Sequence, residues 1–144
     1  MIVVDVNVLV AAAWQDHEFH QAAAEFLSRS LEHDEVAVPD VVWSRLIRTA
    51  TNPRVIQPTP DWPSINRFIQ AIRSHPSYRM DVRAMTSPIT TFLVLCGSAG
   101  VKGNLVSDAY IAAIAMDYDA TVATWDTDFE RFPVQVVHPP LAIG

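Results

Sequence analysis

Asp5, Asp108 and Asp126 each lie in or beside an apolar segment. The contexts are Ile2-Val3-Val4-Asp5-Val6-Asn7, Leu105-Val106-Ser107-Asp108-Ala109, and Val122-Ala123-Thr124-Trp125-Asp126-Thr127-Asp128-Phe129. Taking an ionised carboxylate out of water is costly unless it is paired or ligates a metal. One explanation covers all three: a cluster that captures a cation. Oxygen donors gathered on one rim select hard ions such as Mg²⁺ or Mn²⁺, which keep several waters and bridge to substrate phosphates. The matching reaction is phosphodiester hydrolysis, because such an ion lowers the pKa of bound water and stabilises the leaving oxygen. In this reading Asp5 is the central ligand, and Asp108 and Asp126 complete the catalytic metal site. Asn7, Asn104, Ser107, Thr124 and Asp128 orient ligands or waters around it. Taken singly, Asp108, Asp126 and Asp128 are equally explained as favourable charges at helix N-termini. Asp5 ends a buried strand and resists that explanation.

The elements that must position these residues can be read from hydrophobic period and punctuation. Ile2-Val3-Val4 is an unbroken β-branched run, as expected of a strand buried on both faces of a parallel sheet. A first helical segment follows through Leu9 to Trp14. Asp16 is then expected to cap a helix with apolar positions Phe19, Ala22, Ala23, Phe26 and Leu27. Val36 to Val38 reads as a second strand, and Asp40 to Thr51 as a helix ended by Asn52-Pro53. A proline-rich loop from Gln57 to Ser64 precedes a helix through Ile65, Phe68, Ile69 and Ile72. Tyr78 to Val82 is expected to be a short edge strand, and Ile89 to Ala99 a helix closed by the glycines between Gly97 and Gly103. The remaining expectations are a helix at Ser107 to Tyr118, a strand at Thr121 to Thr124, a short helix at Thr127 to Phe132 with Thr127 and Glu130 spaced as a capping box, and a last strand at Val134 to Val137. Alternating strands and helices imply a mostly parallel central sheet covered on both faces. Ligands bind such sheets beyond the carboxyl ends of the strands, the edge where Asp5 and Asp126 fall. Asp108, Ile111, Ala112 and Ala115 share one helical face, so this carboxylate is expected to point inward.

Composition sets the outer bounds. The 144 residues suit one domain spanning 1–144, and 50% hydrophobic with 18% charged residues places the chain in the soluble globular class. The apolar stretch from Ile2 to Trp14 is broken by Asp5 and Asn7 and lacks a basic flank, so neither a signal peptide nor a membrane span is expected. A lone cysteine, Cys96, fits a reducing cytoplasm. The net charge of −6 argues against nucleic-acid binding through a broad basic surface. It does not exclude a metal-dependent enzyme, since bound cations invert the charge of an acidic pocket. Local basic surface would come from Arg45, Arg48 and Arg54. His17 and His20 have helical spacing compatible with zinc, but no matching ligands follow, and a solvated helix surface is the better reading. His33, His75 and His138 are read the same way. Trp43 and Trp125 are read as packing residues, and Trp62, in the proline-rich loop, as a candidate stacking surface for RNA bases.

Four segments together resemble the PIN-domain ribonucleases, and the VapC toxins of type II toxin–antitoxin modules in particular. They are Met1-Ile-Val-Val-Asp5-Val-Asn7-Val-Leu9, Arg48-Thr-Ala-Thr-Asn-Pro-Arg54-Val55, Gly103-Asn104-Leu-Val-Ser-Asp108-Ala109 and Ala123-Thr124-Trp-Asp126-Thr-Asp128-Phe129. The resemblance implies a three-layer α/β/α domain and Mg²⁺- or Mn²⁺-dependent endoribonuclease activity. It also implies a homodimer and inhibition by a cognate antitoxin that inserts a segment near the site. The family's acidic positions carry over to Asp5, Asp108 and Asp126. The family's further glutamate, on the helix after the second strand, falls on Arg45. A cation there opposes metal binding by roughly 1 to 4 kcal/mol at contact distance. Asp128 is the preferred substitute carboxylate over Asp40, and Arg45 is left to turn toward a carboxylate or a phosphate.

Two other functions compete. A phosphohydrolase with Asp5 as nucleophile would want an aspartate at position 7 and a catalytic lysine, whereas the chain has Asn7 and a single lysine, Lys102. A binding or regulatory module, weakened for catalysis by Arg45, would bind no metal at millimolar concentration.

Overall fold

The computed structural model describes residues 1–82 and 88–141. Four short strands, β1 (Ile2–Val4), β2 (Val36–Ala37), β3 (Thr121–Ala123) and β4 (Gln135–Val137), form one sheet in the order β2-β1-β3-β4. Every pairing is parallel. Parallel neighbours need crossovers, and the helices supply them: α1 (Val6–Ala13), α2 (His20–His33), α3 (Asp40–Ala50), α4 (Trp62–Arg73), α5 (Pro88–Ser98) and α6 (Leu105–Asp117), with a short 3-10 helix at Thr127–Arg131.

The strands are buried because helices cover the sheet. Val3, Val4, Val36, Ala37, Val122 and Ala123 are all inaccessible to solvent, which the unbroken β-branched runs foretold. α6 goes further than its expected one-sided face. Ile111, Ala112, Ala113, Ile114 and Ala115 are fully buried. α5 packs along α6, which accounts for burial on more than one side.

Several local expectations are corrected. Tyr78 to Val82 does not form an edge strand; only an isolated parallel bridge joins Tyr78 to Val36. β2 is too short to carry a longer pairing, because Pro39 follows closely and has no N–H to donate. Arg79 is instead drawn into surface contacts with Asp81 at 2.7 Å and Glu35 at 3.0 Å. Asp16 does not cap α2, whose N-cap is Phe19 with no side-chain bond. Helix α1 also begins earlier than expected, at Val6, because Asp5 itself is its cap. Thr127 and Glu130 do not form the capping box: the cap is Asp126, whose carboxylate accepts from the Asp128 N–H. Gly103, at φ +54, makes the left-handed turn that leads into α6.

Candidate metal centre

The order β2-β1-β3-β4 means the chain winds one way from β1 to β2 and the other way through β3 and β4. The switch point therefore lies between β1 and β3, and the crevice beyond their carboxyl ends is where such sheets bind ligands. Register puts Val4 beside Ala123, and the Asp5 N–H extends the ladder to the Ala123 carbonyl at 3.0 Å. The next residues at this edge are Asp5 from β1 and Thr124 from β3.

Asp5 is 1% exposed and Thr124 is fully buried. The Asp5 Oδ1 accepts the Val6 N–H at 2.7 Å, capping α1, while Oδ2 accepts the Thr124 hydroxyl at 2.9 Å and the Asn7 amide at 3.3 Å. Thr124 Oγ1 also accepts from Asn7 Nδ2 at 2.8 Å and from the Asp126 N–H at 3.0 Å. One hydroxyl has one proton and two lone pairs, and all three are committed here. Asn7 in turn accepts the Trp125 N–H at 3.3 Å. Through these bonds Thr124 and Asn7 lock Asp5 to the segment that carries Asp126. The commitment of both Asp5 oxygens in a buried position also argues against Asp5 as a nucleophile attacking phosphorus.

Three further carboxylates converge on this edge. Asp108 sits on the first turn of α6, 5% exposed, and Asp126 and Asp128 lie at the start of the 3-10 helix. One oxygen from each of Asp108, Asp126 and Asp128 lies within 4.8 Å of the other two. Asp5 is not one of this trio, but its charge acts on Asp108 more strongly than that of Asp126 or Asp128. Arg45 reaches in from the second turn of α3. Its Nη1 is 3.7 Å from Asp5 Oδ1 and 3.8 Å from Asp108 Oδ1, too far for a hydrogen bond to either.

The electrostatics follow from burial. Desolvation is the main reason the Asp5 carboxyl is held above the usual aspartate value. Hydrogen bonds from Val6 and Thr124 and the charge of Arg45 pull it down, while Asp126 adds to the rise. Asp108 is pushed up to about 6, first by desolvation, then by the charges of Asp5 and Asp126, against the pull of Arg45. Without a cation, Asp108 therefore holds its proton to a higher pH than an ordinary aspartate does.

Asn7 and Thr124 thus belong to the network around Asp5. Asn104 is exposed and makes no capping bond, and Ser107, half-buried beside Asp108, joins no hydrogen bond of the cluster among the described residues. Asp40 is exposed at the start of α3 and is not part of the trio. Trp43 donates to the Tyr78 hydroxyl at 3.0 Å and Trp125 to the Pro139 carbonyl at 2.9 Å, while Trp62 is 55% exposed. His138 is exposed, as its solvated reading expects, and its Nδ1–H donates to the Thr124 carbonyl while its Nε2 is 3.8 Å from Glu130. Only the β3–β4 register reveals that position, since nothing in the sequence pairs His138 with Thr124.

A family model described as "PIN domain" matches residues 2–135. Ribonuclease VapC25 of Mycobacterium tuberculosis is 34% identical over 148 residues, covering 98% of this chain and all of the relative. Among solved structures, FitAB bound to an IR36 DNA fragment superposes with a TM-score of 0.72 at 20% identity, over 100% of this chain and 98% of that one. A toxin–antitoxin complex from Klebsiella pneumoniae gives 0.65 at 16% identity, over 97% and 98%. At these identities the solved structures speak to the fold.

Proposed function

This chain belongs to the PIN-domain family, and we propose that it is a divalent-metal-dependent endoribonuclease, the toxin of a toxin–antitoxin pair. The observation that carries the reading is the convergence of Asp108, Asp126 and Asp128, with oxygens within 4.8 Å of one another, beside buried Asp5. The donor set fits a hard ion. All three donors are carboxylate oxygens, without sulfur or imidazole, and they leave room for waters and a phosphate. Asp108, Asp126 and Asp128 would hold Mg²⁺ or Mn²⁺, with Asp5 adding its charge next to Asp108. When bound, the ion supplies an activated water and charge stabilisation for the leaving oxygen.

The chain's own residues do the positioning. Thr124 and Asn7 fix Asp5, and the Asp128 N–H fixes the Asp126 carboxylate at 2.9 Å, so the acidic edge is set before substrate arrives. In the overall reaction a water oxygen joins phosphorus and the bond from phosphorus to one ribose oxygen breaks. The proton lost by water balances the one gained by the leaving hydroxyl. Arg45 leaves the three-oxygen grouping intact, so no observation favours a module that only binds. The likeness to proteins named ribonucleases, and to a toxin–antitoxin complex, supports RNA as substrate and an antitoxin as partner. An open apolar cleft between α1, α3 and α4, lined by Val10, Trp14, Leu46, Ile65 and Phe68, gives that partner surface to bury. The reading also includes a homodimer in the cytoplasm, with exposed Leu93 and Val94 of α5 as apolar surface for a second copy. No described helix is long and apolar enough to cross a membrane.

The test is RNA cleavage by nuclease-free protein with Mn²⁺ or Mg²⁺, with and without chelator. Asp5→Asn is expected to abolish cleavage while keeping the folded circular-dichroism spectrum, because asparagine still accepts the Val6 N–H. Cleavage that persists in chelator, or in this variant, would overturn the reading.

A further inference from the structure

Arg45 is an anomaly in an edge built from carboxylates. α3 turns Val42 and Leu46 into the core, at 0% and 2% exposure, and Arg45 lies between them at the border of that face. Its side chain is 27% exposed, yet Nη1 is fully enclosed and has no hydrogen-bond partner. A buried donor of this kind is normally paired, and an unpaired one calls for an explanation. The explanation is electrostatic. Nη1 is almost equidistant from Asp5 and Asp108, at 3.7 and 3.8 Å, a spacing that suits a cation shared by two carboxylates better than a hydrogen bond to one. Asp5 has already committed its oxygens to Val6, Thr124 and Asn7, so its remaining charge is met by Arg45 alone among the described cations. Asp108 has the guanidinium at 3.8 Å and shares the trio with Asp126 and Asp128.

We infer that Arg45 is a resident cation occupying the place between Asp5 and Asp108, so that the chain takes a single divalent ion, on the Asp108–Asp126–Asp128 side, and uses the guanidinium in place of a second. The inference rests on the metal-site reading of the trio. It deepens that reading by assigning the number of ions and a role for a residue that otherwise only weakens the site. A guanidinium is always charged and cannot dissociate from the chain, so this half of the positive charge is present before any ion arrives. The side chain keeps 27% of its surface exposed, and its positive charge at this edge would also favour a bound phosphate.

Titrating metal-free protein with Mn²⁺, followed by electron paramagnetic resonance of the free ion and by calorimetry, tests this without reference to cleavage. Wild type is expected to bind one Mn²⁺ per chain, and Arg45→Glu two. Arg45→Gln, close in size and safer for folding, is expected to bind its first ion about tenfold more tightly, since a like charge has been removed, a change equal to roughly 1.4 kcal/mol. The same Arg45→Gln protein should nevertheless cleave RNA more slowly at saturating metal. Two ions in wild type, or one ion of unchanged affinity in both variants, would show that Arg45 does not hold the second place. Tighter metal binding with faster cleavage would make Arg45 a plain inhibitor and overturn the role assigned to it. No Mn²⁺ bound by wild type or either variant would sink the metal-site reading itself, a result distinct from the others.

Discussion

Replacing Thr124 by valine removes one hydroxyl and almost nothing else, because the two side chains have nearly the same shape. That hydroxyl donates to Asp5 Oδ2 at 2.9 Å and accepts from Asn7 Nδ2 at 2.8 Å and from the Asp126 N–H at 3.0 Å. A neutral hydrogen bond contributes a net 0.5 to 1.5 kcal/mol, and one to a charged group about 1.5 to 3. Asn7 and Asp126 are half-exposed, so water replaces part of what they lose, and Asp5 is not. The loss is therefore about 3 kcal/mol, which for a domain of this size lowers Tm by roughly 6 to 12 °C. Asp5 also loses a bond that favours its charged form, so its carboxyl rises further and Mn²⁺ affinity should fall. Thr124→Ser is the control. It keeps the hydroxyl and loses one fully buried methyl, about 1 kcal/mol, and should bind Mn²⁺ as wild type does. Thermal melts with and without Mn²⁺, together with calorimetric titration of the metal, read both quantities. If valine melts within a degree of wild type and binds Mn²⁺ equally well, or if serine behaves like valine, the hydroxyl does not organise the edge.

Two further outcomes are expected. Asp108 has a folded-state pKa of about 6 against 3.8 unfolded, so folding disfavours its charged form by about 3 kcal/mol above pH 6. The folded state binds this proton more tightly, and metal-free protein should gain stability as pH falls from about 6 toward 4. Asp108→Asn should flatten that part of the Tm–pH curve, and a curve identical to wild type would contradict the assignment. Trp62→Ala should leave Tm unchanged, since the ring is 55% exposed, and weaken RNA binding in fluorescence anisotropy; equal binding would remove Trp62 from the RNA surface.

The fold was legible where the core wrote it. The runs Ile2-Val3-Val4 and Thr121-Val122-Ala123 became central parallel strands, and the apolar face carrying Asp108 packed inward as its spacing required. Local polar chemistry was harder to read. Asp16, Thr127 and Glu130 all have capping chemistry, and the caps went instead to Phe19 and Asp126, because tertiary packing decided where each helix could begin. Tyr78 to Val82 had strand-like residues but too short a partner in β2. At the site, the sequence named every carboxylate that converges, and the identity of Arg45 as the one basic residue among them. It could not order them. That Thr124 and Asn7 tie Asp5 to the Asp126 segment depends on hydrogen bonds between residues more than 110 positions apart, which no local pattern contains.

The same topology explains why four carboxylates can stand together before any ion binds. In a parallel sheet with helical crossovers, each strand's carboxyl end leads toward a helix amino end, and helix amino ends carry partial positive charge. Asp5 caps α1, Asp108 sits on the first turn of α6, and Asp126 caps the 3-10 helix. Each such placement contributes about 0.3 to 1 kcal/mol, and up to about 2 when partly buried. Together with the Arg45 guanidinium, these fixed charges offset part of the desolvation and mutual repulsion that hold Asp108 near 6. The acidic edge is thus a product of the fold, with the ion added to a site already standing. Chelation should therefore lower Tm only by the ion's binding energy, about 2.7 kcal/mol at a hundredfold excess over Kd. Protein that unfolds outright in chelator at 25 °C would mean that the ion, not the helix ends and Arg45, holds the carboxylates together.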